Sequence, residues 1–483
     1  MADHPDHPDL ATEQRHLDRV CRAVTEADAD APTPPDSSPL LFGRVEFAAD
    51  TNQPDSAHTI YVGRRHVTDD DGTVLAHAWY EPTAAPFYER PSSVRRRVLV
   101  QHDRRLSAVH DEPTGEPTDG AAPEHVLGPA AHAQLERFRD GILHPATATL
   151  SRQQYDAVTR PAAGVLVVAG GPGTGKTQVG LHRAAWLAHT DPGTTVTIVV
   201  PTAALRTYTR AVLPALDADS VTSGTTRDAP AGHLIVDEAH DLDRAQLDEL
   251  ATTHRSVTLL VDPGRAAKPA AWSDVDLDLT HIQLTTSYRV PRPLRDTVAA
   301  TLARTDDDVT PPVTVRSGLG GPLVQHDDAD EVAGDALHAG TAAASTDFRV
   351  GVVVASSMLE PTLRLATDTE RPVGDARDGD LTHPVTVLTP DDAAGLEFDA
   401  VALVSPDAIA AEHGARGLYT AVSRCTQTLA IFHSEPLPAG LDHLATPARP
   451  APEPDADLHT LVDALGEDDR VIVEALVRRL LST

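Results

Sequence analysis

Cysteine and lysine are scarce in this chain of 483 residues. The two cysteines, Cys21 and Cys425, lie far apart in the sequence, which excludes a disulfide framework and a cysteine-based zinc cluster. Only two lysines occur, Lys176 and Lys268, and every other basic residue apart from histidine is arginine. Because nearly all other basic residues are arginine, the lysine at position 176 indicates a site where arginine cannot replace it.

Long apolar runs are also lacking. No uninterrupted apolar stretch approaches the roughly 18–20 residues that span a bilayer. The N-terminus has no basic region followed by an apolar segment, so a signal peptide is not expected. With 41% hydrophobic and 23% charged residues, the chain has enough apolar material for two or three domain cores. We therefore expect a cytoplasmic protein with no membrane partner.

Positive charge is in deficit, and aromatic residues make up only 4% of the chain. The 72 acidic and 40 basic residues give a formal net charge of −32. A field of that sign repels nucleic acid at long range. The charge therefore excludes a broadly basic binding surface, and any nucleic-acid site must be a local basic channel.

The pattern of apolar runs changes along the chain. Short β-branched runs separated by turn signals predict a small β-rich region, and apolar strands alternating with helical stretches then predict two parallel α/β lobes. The first residues are rich in Asp, Pro and His, with one short helical pattern around Leu17, Val20 and Val24. Most of this segment is interpreted as a solvated tail, which is favoured over metal binding by His4 and His7. The predicted units are a disordered acidic tail (1–39), a β-rich domain (40–125), a first lobe (126–290), a second lobe (291–435), and a linker with a C-terminal amphipathic helix (436–483).

A glycine-rich loop is the strongest motif. It fits GxxxxGK[ST], follows the apolar strand VLVV and opens a helical stretch, which is the context that gives the motif meaning. Its glycines let backbone N–H groups surround phosphates, Lys176 reaches the β- and γ-phosphates, and the Thr177 hydroxyl ligates Mg²⁺. The candidate nucleotide-binding residues of the loop are Gly170, Gly171, Pro172, Gly173, Thr174, Gly175, Lys176 and Thr177.

An acidic pair follows about sixty residues later, at the end of the apolar strand in LIVDEAHD. Alone, such a pair is usually a solvated strand end. After a phosphate loop, Asp237 is expected to hold Mg²⁺ and Glu238 to activate the attacking water. The residues therefore predict a nucleotide hydrolase.

Six motifs in order, between about residues 150 and 430, resemble those of superfamily 1 helicases of the UvrD/Rep type. Residues 150–158 resemble the Q motif, whose last glutamine, here Gln154, reads the adenine edge. The glycine-rich loop and the acidic pair correspond to the Walker A and B motifs. The resemblance implies two RecA-like P-loop NTPase lobes that bind ATP and Mg²⁺.

The later motifs of the resemblance lie between residues 284 and 424. In the motif IV match, Tyr288 is expected to stack on adenine and Arg289 to touch the γ-phosphate. In the motif V match, Glu397 is expected to contact the ribose. The motif VI match supplies a second arginine finger, Arg424.

Two positions depart from the family pattern. The glutamine of GDxxQ in motif III is replaced by Arg265, and the lysine that usually precedes the motif V glycine is replaced by Ala394. Both changes affect the coupling of nucleotide to nucleic acid more than nucleotide binding. The spacings also leave no room for the inserted domains of these helicases.

The N-terminal residues resemble the HelD-like branch of this superfamily, the RNA-polymerase-associated ATPases of Gram-positive bacteria. The matching segments are Phe42–Arg44, Tyr61–Arg65, Trp79 with Pro82, Ala85–Tyr88, and VLPALD at 212–217. The chain lacks the long N-terminal coiled coil and the inserted arm of that branch.

Candidate contacts to nucleic acid are few. Trp272 and Lys268 share one segment, and Tyr208 follows a core strand, yet aromatic residues more often pack than stack on bases. The run Arg95–Arg97 is interpreted as an exposed face, with phosphate contact as the alternative.

Three functions remain open at the level of sequence. One is a motor that moves on single-stranded DNA, the second is a remodelling ATPase that binds RNA polymerase without unwinding, and the third is an ATP-binding module with little turnover. The sequence leaves the oligomeric state undetermined.

Overall fold

The computed structural model describes residues 8–27, 39–47, 58–91, 94–102, 104–112, 150–226, 228–265, 279–305, 309–316, 320–345, 348–367, 369, 371–379 and 382–445. Lys268, Trp272, the tail histidines His4 and His7, and the predicted C-terminal helix lie outside these residues. Within the described chain, every helix is too short or too polar to reach across a lipid bilayer.

The N-terminal region is a six-stranded sheet, in agreement with the predicted β-rich domain. The strand order is β3-β4-β2-β1-β5-β6, with antiparallel pairing from β2 through β1 and β5 to β6, and a parallel pair between β2 and β4. The short helix α2 (Ala85–Glu89) follows β4. The strands are β1 (Leu41–Phe47), β2 (His58–Gly63), β3 (Val67–Thr68), β4 (Val74–Ala78), β5 (Val94–His102) and β6 (Arg105–Glu112).

The prediction of disorder over residues 1–39 is wrong for helix α1 (Leu10–Ala27). Leu17 and Val20 are fully buried and pack with Leu75, Leu99 and other apolar residues of the N-terminal sheet. Their spacing places them on one helix face. Burial of that face stabilises the helix and offsets the conformational entropy lost when the segment becomes ordered.

The first α/β lobe carries a parallel sheet in the order β12-β7-β11-β10-β8-β9. Its central strands are apolar on both faces because helices cover both sides. The strands are β7 (Gly164–Gly170), β8 (Val196–Val199), β9 (Thr222–Gly224), β10 (His233–Val236), β11 (Ser256–Val261) and β12 (Leu279–Leu284). The helices are α3 (Arg152–Thr159), α4 (Lys176–Thr190), α5 (Ala203–Val212) and α6 (Arg244–Thr253).

The second lobe has its own parallel sheet, in the order β15-β20-β19-β16-β18-β17. Its strands are β15 (Leu323–His326), β16 (Val350–Val353), β17 (Val373–Asp375), β18 (Val385–Leu388), β19 (Phe398–Val404) and β20 (Cys425–His433). Its helices are α7 (Arg295–Leu302), α8 (Val332–Ala343), α9 (Ser356–Ala366) and α10 (Pro406–Val422), the last interrupted at Gly414.

The predicted fold class is confirmed: an α/β protein with parallel sheets and a small β-rich N-terminal region. A parallel pair of strands, β13 (Thr286–Pro291) and β14 (Val313–Arg316), separates the two large sheets. The expected lobe boundary at residue 290 falls inside β13. This strand touches both lobes, since its Tyr288 N–H bonds to the Gly173 carbonyl while Val290 lies in the core of the second lobe.

The N-terminal sheet shares one hydrophobic core with the first lobe. The Trp79 ring meets His182 of α4 edge to face, with centroids 5.5 Å apart, and the Tyr88 ring stacks on Tyr155 of α3 at 4.4 Å. Segments that carry the HelD-like resemblance therefore pack against the two helices that flank the phosphate loop.

Candidate nucleotide-binding cleft

Lys176 is the first residue of α4 and directly follows the glycine-rich loop. Its Nζ donates hydrogen bonds to the carbonyls of Gly170 at 2.8 Å and Gly171 at 3.0 Å. The side chain thus folds back over a loop whose N–H groups can receive phosphate. Gly175 has a φ of 86°, and a Cβ there would lie 2.4 Å from Nε2 of Gln154, so the loop requires glycine at this position.

The rest of the loop is held by its neighbours. The Thr174 hydroxyl donates to the Gly171 carbonyl at 2.9 Å, and the Ser287 hydroxyl of β13 donates to the Pro172 carbonyl at the same distance. At Gly173, with a φ of 74°, a Cβ would lie 2.4 Å from the Arg289 Cβ. The loop is therefore packed directly against the strand that carries Tyr288 and Arg289.

Gln154 lies beneath this loop rather than at its open side. Its Nε2 donates to the Thr174 carbonyl at 2.9 Å, and its Oε1 accepts from the Ser151 N–H at 2.9 Å. Both ends of the buried amide are thus used by backbone. In this arrangement Gln154 orients the phosphate loop, and the expected contact to adenine would require these bonds to break.

Two oxygen ligands, the hydroxyl of Thr177 and the carboxylate of Asp237, meet at the end of β10. The Thr177 hydroxyl donates to Oδ2 of Asp237 at 2.7 Å, and Oδ1 accepts from the Glu238 N–H at 2.9 Å. Burial and the neighbouring Glu238 carboxylate raise the pKa of Asp237 to about 6. A hydroxyl and a carboxylate oxygen so close together fit the oxygen-donor chemistry of Mg²⁺.

Glu238 is held by a cation. Its Oε2 lies 2.8 Å from Nη1 of Arg265 and 3.3 Å from Nδ1 of His240, and its backbone is left-handed with a φ of 53°. Burial opposes ionisation of this carboxyl, but Arg265, His240 and Lys176 outweigh burial and lower its pKa below the usual range. Arg265 is carried by the short 3₁₀ turn Pro263–Arg265 that follows β11.

Asp262 links the phosphate loop to the second lobe. Its Oδ2 lies 3.6 Å from Nζ of Lys176, and its Oδ1 accepts a long, 3.4 Å hydrogen bond from the Tyr419 hydroxyl of α10. The Gly264 N–H also donates to Oδ1 at 3.1 Å. All but Lys176 of these residues are buried, so Asp262 lies between α10 of the second lobe and the lysine of the phosphate loop.

Two arginines complete the cleft. Arg289 forms an ion pair with Glu397, which joins β13 to the loop before β19. Arg424 is buried, and its guanidinium donates to the Thr420 carbonyl and the Ser423 hydroxyl. Burial, with the positive charges of Arg289 and Arg265, lowers the pKa of Arg424 to about 10. Cationic groups of both lobes therefore crowd around the acidic pair, an arrangement that an anionic ligand would relieve.

Two stretches of the chain match known family models. Residues 35–125 match the model described as "DNA helicase IV HelD, N-terminal domain", and residues 154–262 match the model described as "AAA domain". These two matches support a HelD-like superfamily 1 helicase family for this chain. The second match supports an NTPase of the helicase type. No curated protein matches this HelD-like chain by sequence.

Solved structures similar to the HelD-like chain include arterivirus helicases. "The structure of PRRSV helicase" is 14% identical with a TM-score of 0.33, covering 58% of this chain and 54% of that one. "Complex structure of Arterivirus nonstructural protein 10 (helicase) with DNA" is 17% identical with a TM-score of 0.32, covering 61% and 65%. "Crystal structure of Arterivirus nonstructural protein 10 (helicase)" is 16% identical with a TM-score of 0.31, covering 70% of each. The chain thus spans little more than half of the first structure's length.

Sequence reasoning missed three residues of the HelD-like cleft. Asp262 and Tyr419 lay inside matched motifs but received no role, and Arg265 was noted only as a departure from the family pattern. The contact from Arg265 to Glu238 was not foreseen because the two residues lie on different loops, after β10 and β11. One feature of the sequence indicated this contact: the positively charged Arg265 replaces a neutral glutamine of the family pattern, close to other charged motif residues.

The structure corrects the interpretation of the arginine run in the HelD-like N-terminal sheet. Arg95 is exposed, but Arg96 and Arg97 are buried. Arg96 pairs with Glu112, and Arg97 pairs with the carboxylates of Glu13 and Asp111, at 2.7 and 2.6 Å. Both cations are neutralised inside the fold because β6 brings Glu112 and Asp111 opposite them and helix α1 brings Glu13.

Tyr208, considered as a base-stacking platform, lies on α5 of the HelD-like chain. Its hydroxyl accepts a hydrogen bond of 2.7 Å from Nε2 of Gln178, in the first turns of α4. The ring is half-buried, and burial raises the pKa of Tyr208 above its usual range. These contacts assign the residue a packing role beside the cleft.

Proposed function

We propose that this chain hydrolyses ATP with Mg²⁺ and couples hydrolysis to movement on nucleic acid or to remodelling of a nucleoprotein complex. The observation that carries the proposal is the convergence of both lobes on one cleft. The phosphate loop and acidic pair come from the first lobe, and Glu397, Tyr419 and Arg424 come from the second. A nucleotide in this cleft would contact both lobes at once.

Each side chain of the cleft has a task in this proposal. Lys176 leaves the carbonyls of Gly170 and Gly171 to neutralise the β- and γ-phosphates. Thr177 and Asp237 hold Mg²⁺, which when bound neutralises phosphate charge and orients the terminal phosphate. Glu238 orients the attacking water and accepts its proton.

The arginines tie hydrolysis to closure of the lobes. Arg289 and Arg424 move onto the γ-phosphate and stabilise the charge that develops there. Arg289 must first leave Glu397, which then becomes available to the ribose. The contact between Asp262 and Tyr419 lets the first lobe respond to the position of α10.

The proposed site is tested by Glu238→Gln, which keeps the side-chain shape but removes the base. We expect steady-state phosphate release to fall by about a hundredfold or more, while ATP binding persists. Glu249→Gln is the matched control because Glu249 lies exposed on α6, and its release rate should equal that of the unmodified chain. Unchanged release by Glu238→Gln would overturn the assignment.

A second candidate function is a remodelling ATPase that binds RNA polymerase without unwinding DNA, as expected for the HelD-like branch. The ion pairs that Arg96 and Arg97 form with acidic residues inside the fold favour this second function. These two arginines are therefore not exposed to the phosphates of a nucleic acid. Two measurements separate the candidates. Phosphate release stimulated by single-stranded DNA and lost steeply with salt supports the strand motor. Release indifferent to DNA but changed by purified RNA polymerase supports the second.

A further inference from the structure

Two histidines and a glutamate meet on the N-terminal sheet, away from the nucleotide cleft. Nδ1 of His66 lies 2.8 Å from one carboxylate oxygen of Glu81, and Nδ1 of His77 lies 2.9 Å from the other. One ligand atom from each residue lies within 4.8 Å of the others. The two imidazole rings stand at 83° with centroids 5.6 Å apart.

The strand pairing explains this meeting of residues that are scattered in sequence. In the β3–β4 hairpin Val67 lies opposite Ala76, so the preceding His66 and the following His77 become neighbours across the ladder. Glu81 then precedes the 3₁₀ turn Pro82–Ala84, and its N–H bonds to the Ala78 carbonyl at 3.0 Å. The turn from Ala78 to Glu81 brings the carboxylate within hydrogen-bond distance of both Nδ1 atoms.

We propose that His66, His77 and Glu81 form a binding site for a divalent transition-metal ion of the Zn²⁺ class. Two imidazole nitrogens and one carboxylate are a recurrent donor set for zinc, with a fourth position left for water. Imidazole donors select such ions over Mg²⁺, so this site and the nucleotide cleft take different metals.

The spacing of the ligand atoms must change when the ion binds. Ligands about 2.0–2.1 Å from a tetrahedral zinc stand about 3.3 Å from one another. The two nitrogen–oxygen distances must therefore open by about half an ångström as the metal replaces the proton of each hydrogen bond. Ligand atoms that lie farther apart, within the 4.8 Å limit, must move closer together. His66 is exposed and His77 and Glu81 are half-buried, which leaves room for this movement and gives water access to the fourth position.

The site is positioned to stabilise the contact between the N-terminal sheet and the first lobe. Its ligands His77 and Glu81 flank Trp79 and Tyr80 in the chain. The Trp79 ring meets His182, and the Tyr80 ring stacks on His189 at 3.9 Å, so both lie against α4. A metal that fixes the flanking residues would fix this pair of aromatic contacts.

The test is a titration of the chelator-stripped full chain with Zn²⁺, and separately with Co²⁺, in millimolar Mg²⁺ that fills the oxygen-donor sites. His4 and His7 are replaced by alanine throughout to remove the tail histidines. We expect one equivalent of ion to bind, with visible Co²⁺ absorption of four-coordinate character and a higher Tm on Zn²⁺ addition.

Two variants address the ligands directly. Glu81→Gln keeps the size of the side chain but removes the anionic donor, and His66→Ala with His77→Ala removes both nitrogens. We expect the first to weaken binding by about tenfold or more and the second to abolish the Co²⁺ absorption. His281→Ala with His338→Ala, two exposed histidines elsewhere, is the matched control and should bind as the parent does.

The opposite results are equally clear. Absence of an equivalent of bound ion in the parent would overturn the proposal and leave two histidine–carboxylate hydrogen bonds. Equal binding by the parent and by both ligand variants would place the ion elsewhere and would also overturn it. Neither outcome depends on ATP hydrolysis, so the proposal stands or falls separately from the nucleotide site.

Discussion

Arg265 and Glu238 form an ion pair in the nucleotide cleft. The guanidinium lies 2.8 Å from the carboxylate and lowers its pKa, which makes Glu238 a weaker base and occupies the oxygen that would receive the water proton. We expect Arg265→Gln to raise basal phosphate release several-fold in the absence of any partner, as measured by steady-state kinetics.

The control for that variant is Arg255→Gln, which removes an exposed cation paired with Asp191 in the same lobe. Its release rate should match the parent. If Arg265→Gln instead lost activity as severely as Glu238→Gln, Arg265 would have to be reassigned as a direct contact to the γ-phosphate.

Asp237 gives the ligand-free protein a dependence of stability on pH. Its pKa in the fold is about 6, against 3.8 for the free side chain. Between about pH 4 and pH 6 the folded state therefore binds more protons than the unfolded state, and this contribution to stability is lost as pH rises through 6. Asp237→Asn cannot titrate. We expect it to gain up to about 3 kcal/mol of stability relative to the parent between pH 4 and pH 7.5.

Thermal unfolding at both pH values, without nucleotide or Mg²⁺, measures this difference. Asp296→Asn serves as the matched control, because Asp296 is exposed on α7. A constant difference between Asp237→Asn and the parent would contradict the expectation.

At the scale of elements, α1 is anchored by a buried charge. Glu13 is fully buried and accepts from Arg44 at 2.6 Å, Arg97 at 2.7 Å and the Tyr61 hydroxyl at 3.0 Å. Removing Glu13 takes one acidic partner from each of two partly buried arginines, although Arg97 keeps Asp111, and it removes the acceptor of the Tyr61 hydroxyl. We expect Glu13→Ala to cost about 3 kcal/mol or more, measured by urea unfolding, with earlier proteolysis of α1.

Glu26→Ala, at the exposed end of the same helix, should change the unfolding free energy by less than about 0.5 kcal/mol. Equal effects of the two substitutions would mean that α1 contributes little to the fold. The comparison isolates the buried network from helix propensity, since both variants replace glutamate by alanine in one helix.

At the scale of the whole molecule, the nucleotide site is divided between two lobes. The first lobe holds the residues that bind phosphate, and Arg424 reaches the cleft from the second. We expect Arg424→Ala to lower kcat by about a thousandfold while ATP binding changes much less, because an arginine finger acts on the transition state. Phosphate release and binding of a fluorescent ATP analogue measure the two quantities.

Arg295→Ala is the control for the loss of a cation from the second lobe, since Arg295 is exposed and pairs only with neighbouring Asp296 among the described ion pairs. It should leave both quantities unchanged. Equal loss of binding and turnover in Arg424→Ala would place this arginine in ground-state binding instead.

The sequence determined the order of strands and helices, the phosphate loop and the acidic pair, because these depend on local patterns: apolar strands, glycines before a helix and carboxylates at a strand end. It could not determine which distant groups meet. Four features depend on strand register and on packing between segments far apart in the chain. They are the pairing of Arg265 with Glu238, the burial of Arg96 and Arg97, the packing of α1, and the meeting of His66, His77 and Glu81. Charge compensation in a buried site is a property of the tertiary structure, because its energy depends on distance and burial rather than on spacing along the chain.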